Sequence, residues 1–354
     1  MKVGVMTFHD GINHGGFFQA LCLSKYIQSL GYECEILNYK TRKHWLNEYA
    51  AFLVKKNVFQ VLKNIKKIGL FKSEHSKLSC FPASLTTSEE KIKSIAKDYD
   101  YIVYGSDIIW DYQYGFTGDS SIYFGEGMQP KIANVSYAAS MGRVVDDRIP
   151  EKFGDLLSSY KAIGVRDDNT KAMVESSSHK AVKVVDPTLL VGREDIESYM
   201  GGGSDKPLVE GKYMLIYAFH FPEEYQRKVK AYASANGLKL VAVGYPVDCA
   251  EVNMTEIGPS GWLNLFDHAE SIVTSTFHGT IFAIHYRKPF LTIANPAIKH
   301  KAGSLLKDLE LTSRYREGDL PLEKLHDEIY GSIDEKLACV REPSREFLAQ
   351  ALSS

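Results

Sequence analysis

Apolar runs of strand length alternate with amphipathic stretches in both halves of the chain, a glycine-bearing turn follows the first run, and a Gly/Ser/Asp/Pro-rich stretch separates the halves. These three observations predict an α/β protein of two doubly wound parallel-sheet domains. With 354 residues, 44% of them hydrophobic, the chain can bury two cores. A net charge of −2 argues against a nucleic-acid binder that relies on bulk charge. Cys22, Cys34, Cys80, Cys249 and Cys339 are odd in number and contain no C-x-x-C pair. Neither a disulfide framework nor a zinc site is expected, and a reducing, cytoplasmic compartment is. No leader peptide is read at Met1, and no apolar run is long enough to span a bilayer.

Residues 3–8 read as a strand, 17–30 as a helix closed by Gly31, and 34–39 as the next strand, the opening unit of a doubly wound sheet. The turn between the first two, His9-Asp10-Gly11-Ile12-Asn13-His14-Gly15-Gly16, is not G-x-G-x-x-G, so the dinucleotide fingerprint is absent. Gly15 and Gly16 suit either close approach of a ligand or plain turn chemistry. A basic amphipathic helix is expected over 54–72. Val54, Val58, Leu62 and Ile65 form one face and Lys55, Lys56, Lys63, Lys66, Lys67 and Lys72 surround the other, fit for anionic lipid or for solvent.

A helix over 89–97 and a strand over 101–104 lead to Gly105-Ser106-Asp107, where Asp107 either meets a ligand or caps a helix. Residues 115–128 read as a loop rich in Gly, Tyr and Asp. A strand over 133–137 runs into a small-residue turn ending at Arg143. After a helix over 152–160 and a strand over 162–165, Arg166 stands at a strand end before a helix that runs through 174. It suits bidentate binding of a carboxylate or phosphate, or an ordinary ion pair. A strand over 182–185 and Asp186-Pro187-Thr188 complete this half.

Residues 192–211, with Gly201-Gly202-Gly203-Ser204-Asp205, read as a linker. Domains are therefore expected at 1–200 and 201–320. A C-terminal helical segment over 321–354, broken near Pro343, is suited to pack back on the first domain. The second half alternates strand 213–219, helix 223–236, strand 238–243, helix 261–268, strand 271–274, helix 277–287 and strand 290–293. The turn into the 277 helix offers unpaired backbone N–H groups to an anion, with His278 beside them. Asn13 to Gly16, Asp107, Arg166 and His278 all fall just past parallel strands, and two such edges facing a cleft would gather them. No G-x-S-x-G, H-E-x-x-H or Walker loop is present, and no metal is expected.

The segments NHGGFFQALCLSKYIQSLGYECEILNY, YIVYGSDIIW, SYAASMG, GVRDDNT, VVDPTLL and SIVTSTFHGTIFAIHYRKPFLTI, in this order, resemble the polysaccharide pyruvyl transferase family from residue 3 to 293. The resemblance implies two Rossmann-like halves similar to GT-B glycosyltransferases. It also implies transfer of pyruvate from phosphoenolpyruvate to a sugar as a cyclic ketal, with phosphate released and no cofactor. His278 in Phe-His-Gly, Arg166 in Val-Arg and Asp107 in Gly-Ser-Asp then match catalytic donor-site positions. Asn13, Gly15, Gly16, Ser106, Arg143, Ser275, Thr276, Phe277, Gly279 and Thr280 are expected around the substrates. Imidazoles ordinarily titrate near neutrality, so His278 is expected to protonate the enol, with Asp107 as base or hydroxyl orienter. Some members carry a basic residue where this chain has Thr276 and an acidic one where it has Ser275, which leaves Arg143, Arg287 and Lys288 as sources of donor-binding charge. The implied acceptor is a saccharide of a surface polymer. A lipid-linked form would give the 54–72 helix a task at the inner face of the membrane. A nucleotide-sugar glycosyltransferase and a non-catalytic glycan binder are the competing readings.

Overall fold

The computed structural model describes every residue except Lys56, 118–120, Val145, Ala297 and Ser354. Lys56 of the basic stretch and 118–120 of the expected loop thus lie outside the described residues. The chain divides into two compact units, Met1–Val61 with His75–Val191 and Cys339–Ser354, and Leu62–Glu74 with Gly192–Ala338.

Among the described residues the first unit holds a seven-stranded sheet: β1 (Lys2–Met6), β2 (Glu33–Tyr39), β3 (Cys80–Thr86), β4 (Tyr101–Tyr104), β5 (Ala133–Ala139), β6 (Tyr160–Val165) and β7 (Val182–Lys183). The order is β3-β2-β1-β4-β5-β6-β7, every pair is parallel, and the winding reverses between β1 and β4. Val3, Val5 and Met6 are fully buried because helices cover both faces, so β1 reads as an unbroken apolar run. The helices up to the second sheet, in chain order, are α1 (His14–Ser29), α2 (Arg42–Leu53), α3 (Val58–Glu74), α4 (Glu89–Ala96), α5 (Glu151–Leu157), α6 (Asp168–Ser176) and, already in the second unit, α7 (Arg193–Tyr199). The last lies in the stretch expected to be linker. The Asp195 carboxylate accepts from Gly192 N at 2.9 Å and starts α7, and the glycine run follows it.

The second unit holds a six-stranded parallel sheet among the described residues: β8 (Tyr213–Tyr217), β9 (Lys239–Val243), β10 (Val252–Met254), β11 (Ser271–Thr274), β12 (Phe290–Ile293) and β13 (Tyr315–Arg316), ordered β10-β9-β8-β11-β12-β13. Its helices include α8 (Glu223–Ala235), α9 (Pro259–Asp267), α10 (Phe277–His285) and α11 (Lys299–Asp308).

Most of α3 packs with this second unit. Lys67, expected on the solvated face, is buried with its Nζ 3.4 Å from the Gly244 carbonyl, and burial pulls its pKa down to about 8. The Glu74 carboxylate accepts from Ser260 N at 3.1 Å. The C-terminal segment differs from expectation too. α12 (Ile333–Leu352) begins late and runs through Pro343 without a break. Its second part lies on the first unit: Arg341 Nε donates to Leu189 O at 2.7 Å, Arg345 Nη2 to Leu190 O at 2.6 Å, and Tyr32 Oη to Leu352 O at 2.7 Å. Among the described residues no helix is long and apolar enough to cross a membrane.

Candidate active site

In the first unit the polar groups gather past the carboxyl ends of β1, β4 and β6. One buried amide from α1 links the first two. Gln19 Nε2 donates to Thr7 Oγ1, Phe8 O and Gly16 O at 3.0, 2.9 and 2.9 Å, and its Oε1 accepts from Ser106 N at 3.2 Å. Asn13 is the N-cap of α1, its Oδ1 accepting from Gly16 N at 3.2 Å. Gly15 and Gly16 form the buried first turn, and a Cβ on Gly16 would meet nothing closer than 3.6 Å, so that glycine is not dictated by space.

Asp107 follows β4 with φ of 71°, a left-handed conformation that Asp tolerates better than most residues. Its Oδ1 accepts from Ile108 N at 2.9 Å and lies 3.5 Å from Arg166 Nη2. No helix starts there among the described residues, which removes the capping alternative. The Arg166 side chain is only 2% exposed. Its Nη1 reaches Asp186 Oδ2 at 3.0 Å and Ser106 Oγ at 3.4 Å. Burial alone would disfavour the charge, but Asp186, Asp107 and Asp167 outweigh it and hold the guanidinium more basic than usual. Arg166 is thus enclosed by carboxylates, and a ligand approaching from solvent meets the Asp107 carboxylate, 19% exposed, first.

Arg143 is exposed, on a turn where Gly142 has φ of 63° and a Cβ would fall 2.5 Å from Asp111 Oδ2. Asp186 and His44 were not anticipated as site residues. Asp186 stood in the quoted VVDPTLL segment, but its pairing with Arg166 spans two strand ends. His44 lies on α2, which has no clean sequence pattern, packed edge-on against Phe8 and Phe116 at 5.1 and 5.6 Å. Burial, then the nearby Lys40 charge, pull its pKa down to about 3 against the opposing influence of Asp10 and Asp107.

In the second unit the site lies beyond β11, between β8 and β12. Thr276 is the N-cap of α10: its Oγ1 accepts from Gly279 N at 3.0 Å and lies 3.0 Å from Thr274 Oγ1, which itself donates to Tyr217 O at 2.7 Å. Helix α10 therefore sits so close to the strand end that a Cβ on Gly279 would be 2.1 Å from Thr274 Oγ1. Glycine is obligatory at that position. Thr280 Oγ1 donates to Thr276 O at 3.1 Å and lies 2.8 Å from Thr292 Oγ1. Asn295 Nδ2 donates to Ser275 O at 2.8 Å, while the buried Ser275 Oγ has no hydrogen-bond partner among the described residues. Phe277 packs edge-on against the half-buried His278 ring at 5.2 Å. Arg287 and Lys288 follow the other end of α10, about 13 Å along a helix of this length, and Arg287 pairs with Asp334 at 2.6 Å. They do not share the His278 turn.

Two doubly wound parallel sheets, each wound in both directions from a central strand, define a GT-B-like fold. The sequence matches the family described as polysaccharide pyruvyl transferase over residues 13–296, and the chain belongs to that family of enzymes. No curated protein matches it. Among solved structures, UDP-GlcNAc 2-epimerase from Methanocaldococcus jannaschii is similar in fold, with a TM-score of 0.53 at 10% identity over 97% of this chain and 93% of that one. UDP-GlcNAc 2-epimerase from Neisseria meningitidis bound to UDP-GlcNAc gives 0.49 at 11% identity over 100% and 95%. The E. coli ADP-heptose lps heptosyltransferase II gives 0.35 at 13% identity over 96% and 98%.

Proposed function

We propose that the protein transfers the pyruvyl group of phosphoenolpyruvate to a saccharide as a cyclic ketal and releases phosphate. The observation that carries this reading, within the family, is His278 in the first turn of α10 at the end of the central strand β11. Phosphoenolpyruvate bears a carboxylate and a phosphate on adjoining atoms, and the first-turn N–H groups of α10 offer donors to such an anion. Charge-assisted bonds contribute about 1.5–3 kcal/mol each.

His278 delivers a proton to the enol methylene carbon, leaving an oxocarbenium-like centre at the phosphate-bearing carbon. A sugar hydroxyl adds there, phosphate departs with its bonding electron pair, and a second hydroxyl of the same sugar closes the ketal. Asp107, positioned by Arg166, accepts or orients the proton of one hydroxyl; of the two hydroxyl protons released, one restores His278 and the other leaves on the phosphate. Ser275, Thr276, Phe277, Gly279 and Thr280 shape the donor turn; Asn13, Gly15, Gly16, Ser106 and Arg143 serve the substrates in the first unit. Helix α3 exposes Val58, Phe59, Leu62 and Ile65 at 70, 76, 57 and 50%, with Lys63 and Lys66 also at the surface. That combination suits an anionic bilayer, and it supports a lipid-linked acceptor at the inner membrane face.

Thermal melts with phosphoenolpyruvate, UDP-sugars and GDP-sugars test the donor, since a ligand at 100 times its Kd stabilises by about 2.7 kcal/mol. The reading expects a shift with phosphoenolpyruvate, and phosphate release only when acceptor glycan is added. A shift with a nucleotide sugar alone would make the protein a glycosyltransferase, and glycan binding without either donor would make it a binding protein.

A further inference from the structure

His9 after β1, His75 in the 3-10 turn His75–Lys77 and Cys80 at the start of β3 meet in the first unit, which the chain re-enters at His75. One donor atom of each lies within 4.8 Å of the other two. We propose that His9, His75 and Cys80 bind a zinc-class divalent ion that fastens the start of edge strand β3 to the end of β1. Sequence spacing hides this set, because His9 lies 66 positions before His75 and no C-x-x-C or H-x-x-x-H pair joins the members.

Two imidazoles and a thiolate form a donor set that zinc favours. Zinc bonds of about 2.0–2.3 Å put neighbouring donors of a tetrahedral ion roughly 3.3–3.7 Å apart, so closure takes a contraction of at most about 1.5 Å. His75 and Cys80 are both partly exposed rather than enclosed in the core.

The hydrogen bonding of His9 points to a cation independently. Its buried ring has Nδ1 3.1 Å from Thr7 O and Nε2 3.1 Å from Asn38 Oδ1. The Asn38 amide is oriented by Nδ2 donating to Pro82 O at 3.0 Å, so its oxygen faces the ring. Both ring nitrogens therefore face acceptors. A neutral imidazole donates to only one of them, and a doubly protonated ring is a charge taken out of water. A metal ion on Nε2 removes the conflict, with Nδ1–H held by a backbone carbonyl as metal-bound histidines generally are. Nε2 and Asn38 Oδ1 also have the spacing of two donors to one ion. Asp10 Oδ1 lies 3.5 Å from His75 Nε2 and Oδ2 lies 3.3 Å from Lys40 Nζ, so this carboxylate orients His75 as an outer partner.

The test uses untagged full-length protein, stripped with chelator, dialysed, and titrated with ZnCl2 or CoCl2. One ion per chain is expected, with the near-ultraviolet thiolate-to-cobalt charge-transfer band. Cys80→Ser should abolish the band. His75→Ala should weaken binding by more than about 100-fold and Asp10→Asn by about 10–100-fold, the range for outer partners. Circular dichroism checks that the variants fold. Should Cys80→Ser fail to fold, alkylation of wild-type Cys80, followed by peptide mass, should slow when zinc is added. Absence of cobalt binding, binding without the sulfur band, equal affinity in Cys80→Ser, or unchanged Cys80 alkylation would each overturn the proposal.

Discussion

Gly279 shows how closely a single residue is constrained where helix α10 meets strand β11. Its absent side chain lets the Thr276 cap and Thr274 Oγ1 close on the backbone, with a Cβ position only 2.1 Å from that oxygen. Gly279→Ala should destabilise the protein by about 1–3 kcal/mol, the usual cost of overpacking, read as a lower urea midpoint. His44 provides a pH handle. Its folded pKa, near 3, lies below the ordinary 6.5, so the unfolded chain binds the proton more readily. The stability this group contributes is present above about pH 6.5 and is lost as pH falls toward 3. His44→Gln should flatten that limb of a stability-against-pH curve. The positions of the Phe-His-Gly element and of Asp107 just past strand ends were legible, because the buried strands before them were. The partner of Arg166 was not: Asp186 lies 20 positions away, and only the fold brings the two side chains to 3.0 Å.

Among elements, the interior strands were the legible ones. β4, β11 and β12 are fully buried runs, and such runs announce themselves by composition. The unread elements lie at edges or in mixed sequence. β3 carries Pro82 and is largely exposed, β10 and β13 are very short, and α2 buries only His44 and Glu48. α7 was hidden by the glycines behind it, and Pro343 suggested a break that α12 does not make. Helix α3 was legible as an amphipathic helix, although it starts at Val58, Val54 instead closing α2, and Lys67 faces inward. Phe59→Glu and Leu62→Glu each remove an exposed apolar anchor, with full burial of such a side chain worth about 1.5–3 kcal/mol. Binding to phosphatidylglycerol vesicles should fall on the order of tenfold in either variant, measured by co-sedimentation, with helix content unchanged.

For the whole molecule, the family match over residues 13–296 takes in strands of both parallel sheets. The central claim is that His278 supplies the proton for pyruvyl transfer. The most direct measurement follows carbon-labelled phosphoenolpyruvate into an acceptor glycan, for the wild type and for His278→Ala, alongside the thermal shift that each shows with the donor. Loss of a general acid should slow transfer by about 10²–10⁴-fold while the donor-induced shift persists. Transfer by His278→Ala at the wild-type rate would contradict the account.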